Sequence, residues 1–335
     1  MQSAVNDGFP MGDLIEVKNG YNHGSVTLVE LTKRIDAKTK ECMEFQSKAG
    51  IDIISDGLYN WDDLLQPFTR GGLKGVETDG LMRFFDNNAY YRKPLIKGKI
   101  SFEYSSTLQF WKRSLRFGGA GKLRGFIPGP LTFARLCENR YYSSFATLLD
   151  DLAVALRAEL DTIVGLGLKG VQVCDPAIGF ATPGNLEKLL PPYSKFTADI
   201  GQKLWFTIPY SRPNPLVLRV LSQLNPASVS IDVSSTTLHG GSNVKDWEGW
   251  IRIISDLFKE IDPYARGMPL SLGLIDCRNT LLERKGDIKR AISLARKNNL
   301  KVCSISNNGS LDLLPESVGR KKVTILGAAE EMNSQ

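Results

Sequence analysis

Eight short apolar runs rich in β-branched residues alternate with longer stretches of helical periodicity, and this alternation constrains the chain more than any other feature. The runs fall at 3–8, 51–55, 123–128, 170–174, 203–208, 227–231, 269–275 and 301–305. They are continuously apolar, as strands buried on both faces are. Thr27 and Glu30 have the spacing of a capping box, and Leu28, Leu31, Ile35 and Cys42 then share one helical stripe. Leu149, Leu152, Leu156, Leu160 and Ile163 repeat the same steps, as do Trp250, Ile254, Leu257 and Ile261. Ile288, Ile292 and Ala295 form a shorter stripe, and a last helix is placed after Pro315. Eight β/α units in 335 residues predict an α/β fold, a (β/α)8 TIM barrel formed as a single domain over 1–335. A doubly wound open sheet is the alternative. An insertion at about 71–120, after the second strand, predicts a hairpin and then a short helix near 110–117.

Composition excludes several function classes. No uncharged apolar run approaches the roughly 18 residues of a membrane span, and the N-terminus lacks the basic start and apolar stretch of a signal peptide. A cytoplasmic protein without a membrane partner is expected. Five scattered cysteines, none at CxxC spacing, argue against a disulfide framework or a zinc ribbon. Two histidines, His23 and His239, cannot build a three-histidine metal site, and no phosphate-binding or dinucleotide-binding glycine motif is present. From Arg92 to Arg124 there are nine Lys and Arg against one acid, Glu103. That stretch reads as a solvated face or as a guide for a polyanionic substrate. No nucleic-acid-binding motif accompanies it, so a nucleic-acid partner is not expected.

Residues just past the strand ends line the mouth of such a barrel. Asp56 follows the second run, Asp175 the fourth, Tyr210 the fifth and Asp232 the sixth. Asp276 and Arg278 follow the seventh, and Asn307 and Asn308 the eighth. Carboxylates gathered there suit acid–base work or a hard metal, whereas singly they suit helix capping. Cys174 and Cys277, each one residue from a mouth position, read as packed thiols, because strand neighbours point to opposite faces.

Several segments, in order along the chain, resemble the cobalamin-independent methionine synthase family. They are AGIDIISDGLYNWDDLLQPF (49–68), RFFDNNAYYRKP (83–94), GPLTFARL (129–136), VQVCDPAIG (171–179), LGLIDCRNTLLE (272–283) and SNNGSLDLLPE (306–316). NDGFP (6–10) sits where the family has its first-strand turn. The resemblance implies a TIM barrel and methyl transfer from a methyltetrahydrofolate polyglutamate to homocysteine or another acceptor. In the family, zinc ionises the acceptor thiol and is held by a His-x-Cys pair, a Glu and a distant Cys. Those ligands fall here on Thr207, Pro209, Asp232 and Gly309, so three of the four are missing and neither zinc nor another protein-bound cofactor is expected. The family's homocysteine-binding acid falls on Leu58, and its first-turn serine on Gly8. RFFDNNAYYRKP and GPLTF resemble the family's zinc-free N-terminal barrel at least as well as its catalytic one.

An enzyme built this way would use Asp175, Asp232 and Asp276 as its catalytic groups, with Tyr210 and Arg278 positioning substrate. Asp56, Trp61, Asp63, Asn88, Tyr90 and Asn308 complete the substrate-binding set. One alternative is a non-catalytic folate-binding subunit docking on a zinc-bearing catalytic barrel, and a corrinoid protein is a further partner consistent with a changed site. The other is a uroporphyrinogen-decarboxylase-like enzyme.

Overall fold

The structure is a computed structural model that describes residues 1–85, 87, 89–239, 245–265 and 267–328. Its strands, in chain order, are β1 (Gln2–Ala4), β2 (Leu73–Arg83), β3 (Tyr90–Phe102), β4 (Arg124–Pro128) and β5 (Glu138–Asn139). They continue with β6 (Gly170–Cys174), β7 (Leu204–Ile208), β8 (Ser228–Asp232), β9 (Leu270–Ile275) and β10 (Val302–Asn307). Seven of them form one parallel sheet in the order β1-β10-β9-β8-β7-β6-β4. The second predicted run is not a regular strand. Ile53 bridges to Ala4 and Ile54 to Leu123, both in parallel. Val5 N donates to Ile53 O at 2.9 Å, and Arg124 N to Ile54 O at 3.1 Å. These bonds join β1 to the entry of β4 and close the sheet into an eight-position TIM barrel.

The helices cover the outer wall as their periodicity requires. Thr27 Oγ1 accepts from Glu30 N at 3.2 Å at the start of helix Leu28–Lys48. Leu31, Ile35 and Cys42 of that helix are buried, but Leu28 is 60% exposed because the whole first turn stands in solvent. Helix Phe145–Val164 buries its leucine stripe, and helix Glu316–Gly327 follows Pro315. No described helix is long and apolar enough to cross a membrane.

The insertion forms an antiparallel hairpin, β2 with β3, whose second strand also pairs with β5, and helix Leu108–Leu115 follows it. Part of its basic run is paired with acids outside the run. Lys93 pairs with Glu138 and Asp79, and Lys97 with Glu77. Arg113 and Arg116 both reach Asp36. Arg124 is not on that surface at all. It starts β4 and points into the barrel, 4% exposed, donating to Val5 O, Asn6 Oδ1 and Gln172 Oε1 at 2.7–3.1 Å.

The barrel interior is unusually polar for this fold, where branched apolar side chains normally fill the layers. Ser230, Ser271 and Ser306 hydrogen-bond one another, and Asn6 Nδ2 donates to Ser230 Oγ at 3.4 Å and to Asn307 O at 2.8 Å. The outward residues of the same strands, such as Val171, Val173, Phe206 and Ile231, are fully or almost fully buried beneath the helices. A satisfied network of this kind fixes the floor on which the mouth is built.

Candidate active site at the barrel mouth

Residue alternation decides which strand-end groups reach the mouth. Gln172 of β6 points inward, donating to Asp7 Oδ1 at 2.5 Å and to Thr207 Oγ1 at 3.0 Å. Cys174, two residues on, therefore also faces inward and lines the mouth cavity. This corrects the reading of Cys174 as a thiol packed away from it. Asp175 faces the other way. Its carboxylate accepts from Thr132 N at 2.9 Å, Thr132 Oγ1 at 2.5 Å and the Tyr193 hydroxyl, tying helices Pro130–Leu136 and Pro183–Thr197 to the strand end.

Asp232 and Asp276 are likewise engaged by loops around the mouth. Asp232 Oδ2 accepts from Tyr210 N at 3.1 Å and Thr237 Oγ1 at 2.7 Å. Its Oδ1 accepts from Ser234 N at 3.1 Å and Asn308 Nδ2 at 3.2 Å. The Tyr210 bond matters because Tyr210 has φ +69°, a left-handed conformation that a bulky residue keeps only when its surroundings hold it. Asp276 accepts from Thr236 N, Arg278 N and Asn279 Nδ2 at 2.8–3.0 Å. Asp56 accepts from Leu58 N at 2.9 Å and Ser114 Oγ at 2.7 Å, and burial raises its pKa.

A cavity open to solvent lies over the barrel at the strand ends. Trp61, Phe84, Tyr90, Tyr91, Phe126 and Tyr210 contribute its aromatic wall. Trp61 meets Phe126 edge-on with centroids 5.2 Å apart, and Phe84 is perpendicular to Tyr210 at 6.1 Å. The hairpin supplies Phe84 and Phe85 from the end of β2, and Phe85 stacks on Phe180 at 5.8 Å and on Tyr210 at 6.5 Å. The insertion therefore reaches across the mouth. Trp61 is 4% exposed, and its indole N–H has no acceptor among the described residues.

The polar part of the cavity contains two acids that strand-end reasoning missed, Asp7 and Asp312. Asp7 follows β1 with φ +57° and is 6% exposed. Burial pushes its pKa up to about 6, against the opposing pull of Cys174, Arg124 and Gln172. Asp175 and Asp232 are raised to about 6 by the same cause. Asp312 comes from the short helix Leu311–Leu313, and its Oδ2 lies 3.5 Å from where a Cβ on Gly8 would stand. Cys174 is pushed well above the ordinary thiol range by burial and by Asp7, so it remains a thiol. Asp63 lines the cavity too, with Oδ1 accepting from Leu65 N and Gln66 N and Oδ2 from Arg92 N.

Tyr210 also forms one wall of a second, more open cavity. Arg212 and Arg278 line it, with the Arg278 guanidinium 5.9 Å from the centre of the Tyr210 ring. The mouth is thus acidic and aromatic on one side of Tyr210 and cationic on the other. The structure brings Trp61, Asp63, Tyr90 and Tyr210 together around the first cavity and Tyr210 and Arg278 around the second. Asn308 braces Asp232 from beneath, and Asn88 lies outside the described residues. Among the described residues, no group of three or more His, Cys, Asp or Glu is placed to hold a metal ion.

A closed barrel with a walled cavity at its strand ends is the architecture in which barrel proteins place their sites. The chain belongs to the cobalamin-independent methionine synthase family, whose description "Cobalamin-independent synthase, Catalytic domain" matches residues 8–196, more than half of it. It is 28% identical to the methionine synthase of Sulfolobus acidocaldarius over 155 residues, 46% of this chain and 45% of that protein. It is 31% identical to that of Saccharolobus solfataricus over 131 residues, 39% of each. These matches span less than half the length of either curated relative. The fold is similar to a B12-independent methionine synthase from Shewanella sp. W3-18-1 in complex with selenomethionine. That match has TM-score 0.75 and 18% identity, covering 92% of this chain and 90% of that one. A putative vitamin-B12 independent methionine synthase from Listeria monocytogenes gives TM-score 0.73 and 15% identity over 98% and 96%.

Proposed function

We propose that this chain is a methyltransferase of the methionine synthase type that holds its methyl donor in the aromatic and acidic mouth cavity and works without zinc in its own barrel. The donor in the family's chemistry is methyltetrahydrofolate polyglutamate, and the acceptor is homocysteine. The observation that carries this reading is the division of the mouth by Tyr210. It offers a walled cavity for the methyl-bearing head and, beside it, Arg212 and Arg278 for an anionic tail. The arginines take that part in place of the basic insertion, several of whose cations are already paired.

The family's zinc positions do not fit the ion. Thr207, Pro209 and Gly309 offer no soft donor, and both oxygens of Asp232 are taken by neighbours. A Cβ at Gly309 would come within 2.9 Å of the Tyr210 ring, which occupies the space that a cysteine there would need.

The residues present support a different division of labour. Transfer forms a methyl–sulfur bond on the acceptor as the methyl–nitrogen bond breaks. The electron pair of the broken bond stays on the donor nitrogen, which must carry a proton to leave easily, and the acceptor thiol gives up its own proton. Asp7, raised to about 6 and lining the cavity, is suited to hold and release a proton near neutrality. Asp232, Asn308 and Asp276 hold the loops that carry Tyr210 and Arg278. A second reading, a donor-binding barrel that serves a zinc-bearing or corrinoid partner, is favoured by the same lack of soft donors at the carried-over positions.

Calorimetric titration with mono- and triglutamyl methyltetrahydrofolate tests the common core of both readings. Binding of both is expected, tighter for the triglutamate and weakened by added salt. No heat with either ligand at millimolar concentration would overturn them. Methyl transfer to homocysteine by the isolated chain then separates enzyme from subunit.

A further inference from the structure

The geometry points to a mouth cavity selective for a methylated cation, an ammonium or sulfonium head, over a neutral or anionic group of the same shape. This inference rests on the mouth cavity being the ligand site and adds the chemical class of what enters it. Three independent features carry it.

The first is ring geometry. Trp61 and Phe126 stand at 87° to each other, Phe84 and Tyr91 at 74°, and Phe84 and Tyr210 at 90°. Rings set nearly perpendicular to one another wall the cavity on more than one side. A box of aromatic faces and edges suits a tetrahedral head about the size of trimethylammonium, attracted by the ring quadrupoles.

The second is charge. No Lys or Arg lines this cavity among the described residues, while Asp7, Asp62, Asp63 and Asp312 do. Asp62 is neutralised by Lys18 at 3.1 Å and Arg70 at 3.4 Å, and Asp63 is satisfied by three backbone N–H groups. Arg124, whose charge acts on Asp7, directs its guanidinium to Val5 O, Asn6 and Gln172. Burial raises the pKa of Asp312 as it does that of Asp7, and the two carboxylates, once ionised, are left to set the field in the cavity, which low-dielectric aromatic walls focus.

The third is Trp61. Its buried indole N–H lacks an acceptor among the described residues, which a ligand oxygen close to the cationic head would supply. A protonated N-methyl donor meets the cationic requirement, and so does any small onium compound with a neighbouring hydroxyl or carbonyl oxygen.

The test uses the whole chain at pH 8 and low salt, with choline as the probe and 3,3-dimethylbutan-1-ol as its neutral isostere. Choline is expected to bind at least ten-fold more tightly than the alcohol. Asp312→Asn should cost choline several-fold and leave the alcohol unchanged, and Phe84→Leu should weaken choline more than the alcohol. Equal or tighter binding of the alcohol would overturn the inference, as would choline affinity unmoved by Asp312→Asn. If neither probe binds but methyltetrahydrofolate does, the cavity reading stands and the cation preference is refuted. If none of the three binds, both fail together.

Discussion

Asp7→Asn separates what the mouth does for function from what it costs in stability. Asp7 is buried, and its pKa rises from 3.8 in the unfolded chain to about 6 in the fold. A carboxyl with a raised folded pKa favours the native state below its unfolded value and loses that contribution as pH climbs through the folded value. At pH 8 the native protein carries the full penalty. A rise of that size, at about 1.4 kcal/mol for each tenfold change in proton affinity, is worth at most about 3 kcal/mol, and relaxation around the charge lowers it. Asparagine tolerates a left-handed φ of +57°, and its amide oxygen keeps the bond from Gln172 Nε2. Urea denaturation at pH 8 should therefore find Asp7→Asn more stable than wild type by about 1–3 kcal/mol. The advantage should shrink by about 1.4 kcal/mol at pH 5, where native Asp7 is mostly protonated. Methyl-donor binding should fall at the same time. A variant less stable than wild type at pH 8, or a difference that does not change between the two pH values, would rule out a buried, reluctantly ionised Asp7.

Other substitutions probe the supports of the site. Lys322 is fully buried and pairs with Glu283 at 2.6 Å. Lys322→Met should cost about 3–5 kcal/mol in denaturant melts, because it leaves Glu283 buried and unpaired, and Glu283→Gln should restore part of that. A Cβ at Gly129 would overlap the Asp175 carboxyl, so Gly129→Ala should destabilise by about 1–3 kcal/mol as the Thr132 and Tyr193 bonds are disturbed. Arg278→Gln should weaken the triglutamyl donor several-fold in titration and flatten its salt dependence, with a smaller effect on the monoglutamate.

Much of the barrel is readable from periodicity, because buried parallel strands and one-sided helices leave distinct patterns. Tyr210, Asp232 and Asn308 stand out for the same reason, since strand ends locate themselves. The 51–55 segment does not show its irregularity, which arises from closing the ring through single bridges at Ile53 and Ile54. Arg124 reads as part of a basic surface, because a buried arginine is rare and its partners Asn6 and Gln172 are far along the chain. Asp7 and Asp312 escape notice because they come from a first turn and a three-residue helix, and only closure of the barrel brings them to one cavity. Strict alternation does place Cys174, since Gln172 and Cys174 share one face and Asp175 takes the other.

Whether this barrel works without zinc is decided by following transfer of a labelled methyl group from methyltetrahydrofolate to homocysteine, with the purified chain before and after exhaustive treatment with a zinc chelator. The same rate is expected in both preparations, with no gain on adding zinc back. A rate abolished by the chelator and restored by stoichiometric zinc would contradict a zinc-independent site.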